Sequence, residues 1–146
     1  MLKGINKILT GDVLKAICDM GHGETIAIVD GNYPAMSSEN KVIQLTGVNT
    51  TDVLQAIIDL FPIDIDYTEH PACIMDLTAS DKARKMADPE TWEDYRKILK
   101  QKKIKTGLYK LERNVFYAEA AKSFVIIQTG EERQYGNLIL TKGVVL

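Results

Sequence analysis

The chain has 146 residues, 45% of them hydrophobic and 26% charged, with a formal net charge of −2 at pH 7. This size and composition predict one globular domain, residues 1–146, with its own apolar core. The small negative charge argues against a nucleic-acid partner. No apolar run reaches the roughly 20 residues of a membrane span, and the first nine residues lack the apolar stretch of a signal peptide. We therefore expect a cytoplasmic protein with no membrane partner.

The first predicted helix follows Thr10, a residue type that caps helix N-termini. Its apolar face carries Val13, Leu14, Ile17 and Cys18. We expect it to end at Gly21 in the left-handed conformation. Cys18 and Cys73, the only two cysteines, are expected to be buried apolar residues rather than a disulfide.

Strands and helices then alternate along the chain. Short apolar runs predict strands at 25–29, 42–46, 72–77, 124–130 and 138–146, and residues 108–113 are a further strand candidate. Helices are predicted from Thr51 until just before Pro62, from Asp88 onwards and over 114–124, with loops at 31–41 and 78–87. This alternation predicts a three-layer α/β/α domain with a mixed, partly parallel sheet.

The helix after Asp88 has its charges sorted by sign. Asp88 is expected to cap it and Pro89 to occupy its first position. Acidic residues lie early and basic residues late, which suits the helix dipole. The late basic residues are Arg96, Lys97, Lys100, Lys102 and Lys103. We interpret them as a solvated helix end rather than an anion site.

Several kinds of chemistry are excluded by the residues present. Two histidines cannot supply a multi-histidine zinc site, and His70-Pro-Ala-Cys73 has no evident further ligands. Neither G-x-G-x-x-G nor G-x-x-x-x-G-K-[ST] occurs, and there is no G-x-S-x-G elbow for a serine nucleophile. Acid–base chemistry on a neutral polar ligand remains.

His22 is the candidate acid–base group. It lies between Gly21 and Gly23 on a predicted loop, and imidazole both gives and takes a proton near neutral pH. An exposed loop histidine without a function is the alternative. Asp30 ends an apolar strand, where ligands bind in many α/β folds, although an aspartate before glycine is also a common turn residue.

Three further polar side chains lie at predicted element ends. In an extended chain, Tyr135 and Asn137 would point the same way, with Gly136 leaving room between them. A simple turn is the alternative for this triplet. Arg113 lies at a strand-to-helix junction and offers a planar donor group. Together with His22 and Asp30, these residues suit a ligand with many hydroxyl groups, such as a sugar.

Five sequence blocks, in order, resemble the L-fucose mutarotase / D-ribose pyranase family and are closest to its fucose mutarotase branch. The blocks are Gly21-His22-Gly23-Glu24, Asp30 with Pro34-Ala35, Arg113 with Phe116-Tyr117, Thr129-Gly130-Glu131 and Tyr135-Gly136-Asn137. The resemblance implies a ribose pyranase-like fold and an isomerase that interconverts the α and β anomers of L-fucose or a related sugar. Ribose pyranase activity and non-catalytic sugar binding are the alternatives.

The resemblance also implies the roles of individual residues. His22 would be the catalytic proton donor, and the sugar would be bound by Asp30, Arg113, Tyr135, Gly136 and Asn137. It further implies a ring-shaped homodecamer with no cofactor and no metal.

The spacing between His22 and Asp30 raises a geometric difficulty. If residues 24–29 are extended at about 3.3 Å each, the two side chains lie roughly 20 Å or more apart in one chain. Either the strand is shorter or bent, or one pocket combines residues from two chains. We favour the second explanation.

Overall fold

The computed structural model describes residues 2–146 and contains five α-helices and six strands. The helices are α1 (Gly11–Asp19), α2 (Thr50–Ile57), α3 (Ala79–Ala83), α4 (Glu90–Gln101) and α5 (Arg113–Ala120). The strands are β1 (Thr25–Val29), β2 (Lys41–Leu45), β3 (Ala72–Met75), β4 (Tyr109–Leu111), β5 (Val125–Thr129) and β6 (Leu138–Thr141). Among residues 2–146, no helix is both long and apolar enough to cross a membrane.

The six strands form one mixed sheet in the order β2-β5-β1-β6-β3-β4. Strands β2, β5 and β1 pair in parallel, as do β3 and β4, whereas β6 runs antiparallel to both of its neighbours, β1 and β3. Five strands therefore share one direction, and their carboxyl ends lie at the same edge of the sheet as the amino end of β6. The predicted mixed sheet is confirmed.

Apolar side chains cover both faces of the sheet, so β1 is buried on both sides. Ile26 and Ile28 belong to one core cluster, which includes residues of α1, α2 and α4. Ala27 and Val29 belong to the other, which includes Phe116 and Ala120 of α5. This gives the predicted three layers.

Local capping explains where most helices begin. Thr10 caps α1 as predicted, with its side chain accepting from the Val13 N–H. Helix α2 begins at Thr50, one residue before the prediction, because Asn49 and Asp52 form a capping box. Asp88 does not cap α4: Pro89 holds the N-cap position and the helix begins at Glu90. The late basic residues of α4 are exposed, as predicted.

Several other local predictions differ from the structure. The left-handed glycine after α1 is Gly23, at φ 82°, rather than Gly21. The two predicted loops contain a short 3-10 helix, Ala35–Ser37, and α3. Cys18 is exposed rather than buried, and Cys73 is half-buried on β3. Both cysteines are free thiols.

Candidate active site

A polar cleft of about 590 Å³ lies at the edge of the sheet where β1, β3 and β4 end and β6 begins. Because β6 runs antiparallel to β1 and β3, the residues that precede β6 lie next to the residues that follow β1 and β3. Four predicted site residues line the cleft together: Asp30, Arg113, Tyr135 and Asn137. The cleft has further lining residues that were not predicted, among them Tyr33, Met75, Thr78, Asp81 and Tyr117.

Asp30 and Asn137 form a reciprocal pair at the base of this cleft. The Asp30 N–H donates to Asn137 Oδ1 (3.1 Å), and Asn137 Nδ2 donates to Asp30 Oδ2 (2.8 Å). The Asn32 N–H donates to the second carboxylate oxygen at 3.0 Å. Both side chains are buried, so the pair fixes the carboxylate in one orientation.

Burial raises the pKa of Asp30 above its usual value of 3.8. Hydrogen bonds from the Asn32 N–H and the Asn137 amide oppose this effect without cancelling it. The charged form therefore relies on neutral donors, and a ligand hydroxyl that donated to this carboxylate would stabilise it further.

Gly136 is buried beside this pair and is not among the residues that line the cleft. A Cβ at Gly136 would lie 2.9 Å from Cγ of Glu131. Glu131 is itself buried, and it accepts hydrogen bonds from Thr50 and from the Arg133 guanidinium. Burial alone would raise the pKa of Glu131, but Arg133 holds it below its usual value. The absence of a side chain at Gly136 is what lets the two segments approach.

Tyr135 reaches the cleft through an unexpected backbone conformation. Its φ is 60°, so residues 135–137 are not extended as predicted. The Trp92 indole N–H donates to the Tyr135 carbonyl at 3.2 Å, which helps to hold the turn. The phenol accepts from the Thr78 N–H at 3.2 Å and donates to Asp81.

Aromatic rings form one wall of the cleft. Tyr33 and Tyr117 are tilted against each other, with ring centroids 5.3 Å apart. The Arg113 guanidinium lies 5.5 Å from the centroid of the Tyr117 ring, at the first turn of α5. Burial raises the pKa of Tyr33 to about 12, so this phenol stays neutral at physiological pH. Aromatic faces beside fixed hydrogen-bonding groups suit a ligand with both C–H and O–H surfaces.

His22 does not lie in this cleft. It precedes β1, whereas Asp30 follows β1, and the strand between them is regular, paired on both sides and five residues long. At about 3.3 Å per residue the strand alone spans roughly 17 Å. The first explanation for the spacing, a bent or shortened strand, is therefore wrong.

The loop that carries His22 is held in place by its backbone. The Gly23 N–H donates to the Lys142 carbonyl at 2.8 Å, and the Lys142 N–H donates back to the Glu24 carbonyl at 2.8 Å. The Gly21 N–H donates to Glu24 Oε2 at 2.6 Å. Gly23 supplies the left-handed conformation that this turn requires. The loop therefore presents the imidazole from a fixed backbone.

Asp64 is the hydrogen-bonding partner of His22. Its Oδ2 lies 3.2 Å from His22 Nε2 and also accepts from the Thr68 hydroxyl at 2.5 Å. The Asp64 side chain is 2% exposed and that of His22 is 42% exposed. The Thr68 hydroxyl is the main cause that lowers the pKa of Asp64, and the Tyr67 N–H and His22 add to it against the effect of burial. Asp64 is therefore a fixed anion that orients an accessible imidazole.

An apolar surface surrounds this histidine, and we call it the His22 surface. Its members include Leu2, Leu14, Ile17, Leu60, Pro62 and Val145. Leu2 is 66% exposed and Val145 is 89% exposed. This surface and the cleft share no residue. The imidazole therefore lies among apolar groups, away from the polar cleft of its own chain.

Asp64 and Asp81 are the two carboxylates that sequence reasoning missed. Asp64 lies in the segment between α2 and β3 and carries no local signal, since its link to His22 spans 42 positions. Among residues 2–146, no group of three or more His, Cys, Asp and Glu side chains could hold a metal ion.

Comparison with known proteins gives a full-length match. Residues 3–145 match the RbsD / FucU transport protein family. The chain is similar to the fucose mutarotase of Mus musculus, with 40% identity over 147 residues that cover 99% of this chain and 95% of the relative.

Two solved structures carry the same fold. The fucose mutarotase of Streptococcus pneumoniae, in complex with L-fucose, has a TM-score of 0.89 and 36% identity, covering 99% of this chain and 100% of that one. RbsD of Bacillus subtilis, complexed with D-ribose, has a TM-score of 0.72 at 21% identity with full coverage of both chains, a likeness of fold alone. Since the family match spans almost the whole sequence, the chain belongs to the RbsD/FucU family.

Proposed function

We propose that this chain is an L-fucose mutarotase, an isomerase that interconverts the α and β anomers of the sugar. The observation that carries the proposal is the cleft, in which a buried carboxylate, an amide, a guanidinium and a phenol converge beside two aromatic rings. The identity to the fucose mutarotase of Mus musculus over nearly the whole chain supports the choice of sugar.

The reaction needs only proton transfers. The ring oxygen gains a proton, the anomeric hydroxyl loses one, and the bond between the anomeric carbon and the ring oxygen breaks to give the open-chain aldehyde. Rotation about the neighbouring C–C bond and the reverse transfers close the ring on the other face. An uncatalysed exchange over minutes to hours has a barrier of about 20–23 kcal/mol. One positioned acid–base group supplies about 10²–10⁴-fold in rate, so a site with few catalytic groups suffices without a cofactor or metal.

In this proposal His22 moves the proton, and Asp64 positions the His22 imidazole. The Asp64 carboxylate stabilises the imidazolium and holds one ring nitrogen, which leaves the other for the substrate. Asp30, Arg113 and Asn137 bind the sugar hydroxyls, and Gly136 lets the chain pass close beneath them.

We propose that one active site combines two chains. The His22 surface of one subunit covers the cleft of a neighbour, which buries exposed apolar residues such as Leu2 and Val145 and brings the imidazole to the sugar. The regular strand between His22 and Asp30 supports this arrangement, since the two groups cannot meet within one subunit. A head-to-tail contact of this kind forms a closed ring when the rotation between subunits closes, in keeping with the homodecamer that the family resemblance implies.

We further propose that residues 1–146 act as a single mutarotase domain in the cytoplasm. Both cysteines are free, and Cys18 is exposed, which suits a reducing compartment.

A ribose pyranase is the second candidate, favoured by the likeness of fold to RbsD. The ribose pyranase reaction uses the same proton transfers as mutarotation and differs in which sugar hydroxyl closes the ring.

Exchange NMR on L-fucose and on D-ribose, with and without the protein, tests the proposal. We expect fucose anomers to exchange faster with protein, and ribose pyranose and furanose forms to be affected less. A larger effect on ribose would favour the pyranase. Sugar binding without faster exchange of either sugar would leave a non-catalytic binding protein.

A further inference from the structure

The start of α3 forms an unusual capping arrangement. In a capping box, the N-cap side chain accepts from the N–H three residues on, and the side chain at that third position accepts from the N-cap N–H. Thr78 and Asp81 occupy these two positions, and Thr78 Oγ1 accepts from the Asp81 N–H at 3.3 Å. The first half of the box is therefore present.

The phenol of Tyr135 lies between the two groups that would form the second hydrogen bond of the capping box, the Thr78 N–H and the Asp81 carboxylate. The Thr78 N–H donates to the Tyr135 oxygen at 3.2 Å instead of donating to Asp81. The phenol in turn donates its own proton to Asp81 Oδ2, and the same oxygen accepts from Thr78 Oγ1 at 2.8 Å. One carboxylate oxygen thus receives two hydroxyl protons.

This arrangement fixes how the phenol can meet a ligand. A phenol has one proton to donate and two acceptor positions. The proton goes to Asp81 and the Thr78 N–H takes one acceptor position, so a single acceptor position remains on a side chain that lines the cleft.

We infer that Asp81 is a positioning residue that makes Tyr135 a hydrogen-bond acceptor toward the sugar, so that the cleft selects a donating hydroxyl at one position of the substrate. This inference rests on the proposed function for the sugar as ligand. Tyr135 is then a binding residue and not the acid that protonates the ring oxygen, which leaves His22, with a water molecule where a relay is needed, to move the proton.

The charge of Asp81 supports this direction of the hydrogen bond. The Tyr135 and Thr78 hydroxyls lower the pKa of Asp81, with burial opposing and Arg84 adding a smaller effect. The carboxylate therefore stays ionised at neutral pH and has no proton to give back to the phenol. The competing interpretation is that these hydrogen bonds only hold α3 in place. It arises because α3 has no buried residue that would anchor it by packing.

A set of L-fucose analogues tests the inference by calorimetric affinity. Each analogue lacks one donating hydroxyl but keeps an acceptor atom there, as fluorine on the ring or as a methyl ether at the anomeric position. In the wild type we expect the analogue that lacks the hydroxyl facing Tyr135 to bind roughly tenfold more weakly than fucose, the effect of one lost hydrogen bond. An analogue that lacks a hydroxyl facing Asp30 should also bind more weakly, but Tyr135→Phe should remove only the first penalty and so identify the position that faces Tyr135.

Two substitutions at Asp81 separate positioning from folding. Asp81→Ala releases the phenol proton, so the penalty should fall to about twofold, because the phenol can then donate to the fluorine or ether oxygen. Asp81→Asn keeps an oxygen that accepts both hydroxyl protons and should keep the penalty. Arg84→Gln is the matched control: its guanidinium lies 3.9 Å from Asp81 on the opposite carboxylate oxygen, and we expect no change.

A second measurement needs no sugar. The ring carbon bearing the Tyr135 hydroxyl, labelled with ¹³C and assigned through Tyr135→Phe, should shift in Asp81→Ala but not in Asp81→Asn or Arg84→Gln. The inference is overturned if Tyr135→Phe removes no wild-type penalty, if the penalty that it removes survives in Asp81→Ala, or if the resonance does not move. A wild-type protein that shows the penalty without anomer exchange would defeat the mutarotase proposal and leave the inference intact.

Discussion

The two ends of β1 present opposite environments. At its carboxyl end, the Asp30–Asn137 pair is buried in a polar cleft that offers hydrogen bonds for hydroxyl groups. At its amino end, the His22–Asp64 pair lies at an apolar surface, where the imidazole is accessible but few polar groups could bind a sugar. Each end therefore has what the other lacks.

Under the proposed mechanism, catalysis would depend on assembly. The proposed sugar cleft and the proposed acid–base histidine lie at opposite edges of the sheet and would form two halves of one site. The same chain supplies both halves, so a second copy oriented head to tail would complete the site. The exposed apolar residues around His22 would provide the contact area.

The largest expected effect separates the two ends by function. His22→Ala should lower the anomer exchange rate by about 10²–10⁴-fold, the contribution of a positioned acid–base group, while sugar affinity stays within about twofold. Exchange NMR gives the rate and calorimetry the affinity. His70→Ala is the matched control, since the other histidine stacks on Tyr109 outside the cleft. An unchanged rate in His22→Ala would remove this residue from the mechanism.

Mixed assemblies test whether the two halves come from different chains. At sugar concentrations well below the wild-type dissociation constant, His22→Ala and Asp30→Ala should each lose most of their activity alone, but random assembly of equal amounts leaves about a quarter of the sites with both groups intact. We therefore expect about a quarter of wild-type activity after the two variants are refolded together. A mixture of His22→Ala with the double variant forms no intact site and is the control. No recovery in assemblies that native mass spectrometry shows to be mixed would contradict the two-chain site.

The two aspartates should respond to pH in opposite ways. Burial raises the pKa of Asp30, so its ionisation costs folding free energy as pH rises through that raised value. The pKa of Asp64 is lowered, so its stabilising contribution is present above the usual value of 3.8 and is lost as pH falls through the lowered one.

Sugar affinity makes the difference measurable. We expect wild-type affinity to fall as pH drops through the raised pKa of Asp30, because the protonated carboxyl accepts fewer hydrogen bonds. Asp30→Asn should bind roughly tenfold more weakly with little dependence on pH, and Asp64→Asn should keep the wild-type profile. Calorimetric titrations across the acidic range provide the measurement. A wild-type pH profile in Asp30→Asn would contradict this assignment.

Much of the cleft follows from local sequence signals. Asp30 and Arg113 lie where predicted strands end, and the shared direction of β1, β3 and β4 brings such ends to one edge of the sheet. The antiparallel insertion of β6 is a long-range pairing with no local signal. It is this pairing that brings Asn137 to Asp30 across 107 positions.

The missed features share a physical cause, which is that each depends on contacts distant in sequence. Asp64 becomes a partner of His22 only through the fold, and Asp81 lies on a five-residue helix without a buried residue, which leaves no apolar period to detect. The left-handed conformations at Gly23 and Tyr135 are likewise set by where their chains must turn. The sequence predicts the left-handed residue at Gly21, but the glycine that the turn requires is Gly23.

Glycine substitutions should give the smallest effects and still separate the two ends. Gly136→Ala places a Cβ 2.9 Å from Glu131 Cγ in a buried position, which we expect to cost roughly 1–3 kcal/mol of unfolding free energy and to weaken sugar binding. Gly23→Ala has open space around the Cβ but a φ of 82°, so the expected cost is about 1–2 kcal/mol, with the exchange rate falling and affinity unchanged. Gly47→Ala, with open space and no positive φ, is the control and should change stability by less than about 1 kcal/mol. Urea unfolding and calorimetry measure both quantities. Equal losses of sugar affinity in Gly136→Ala and Gly23→Ala would contradict the division of binding and proton transfer between the two ends of β1.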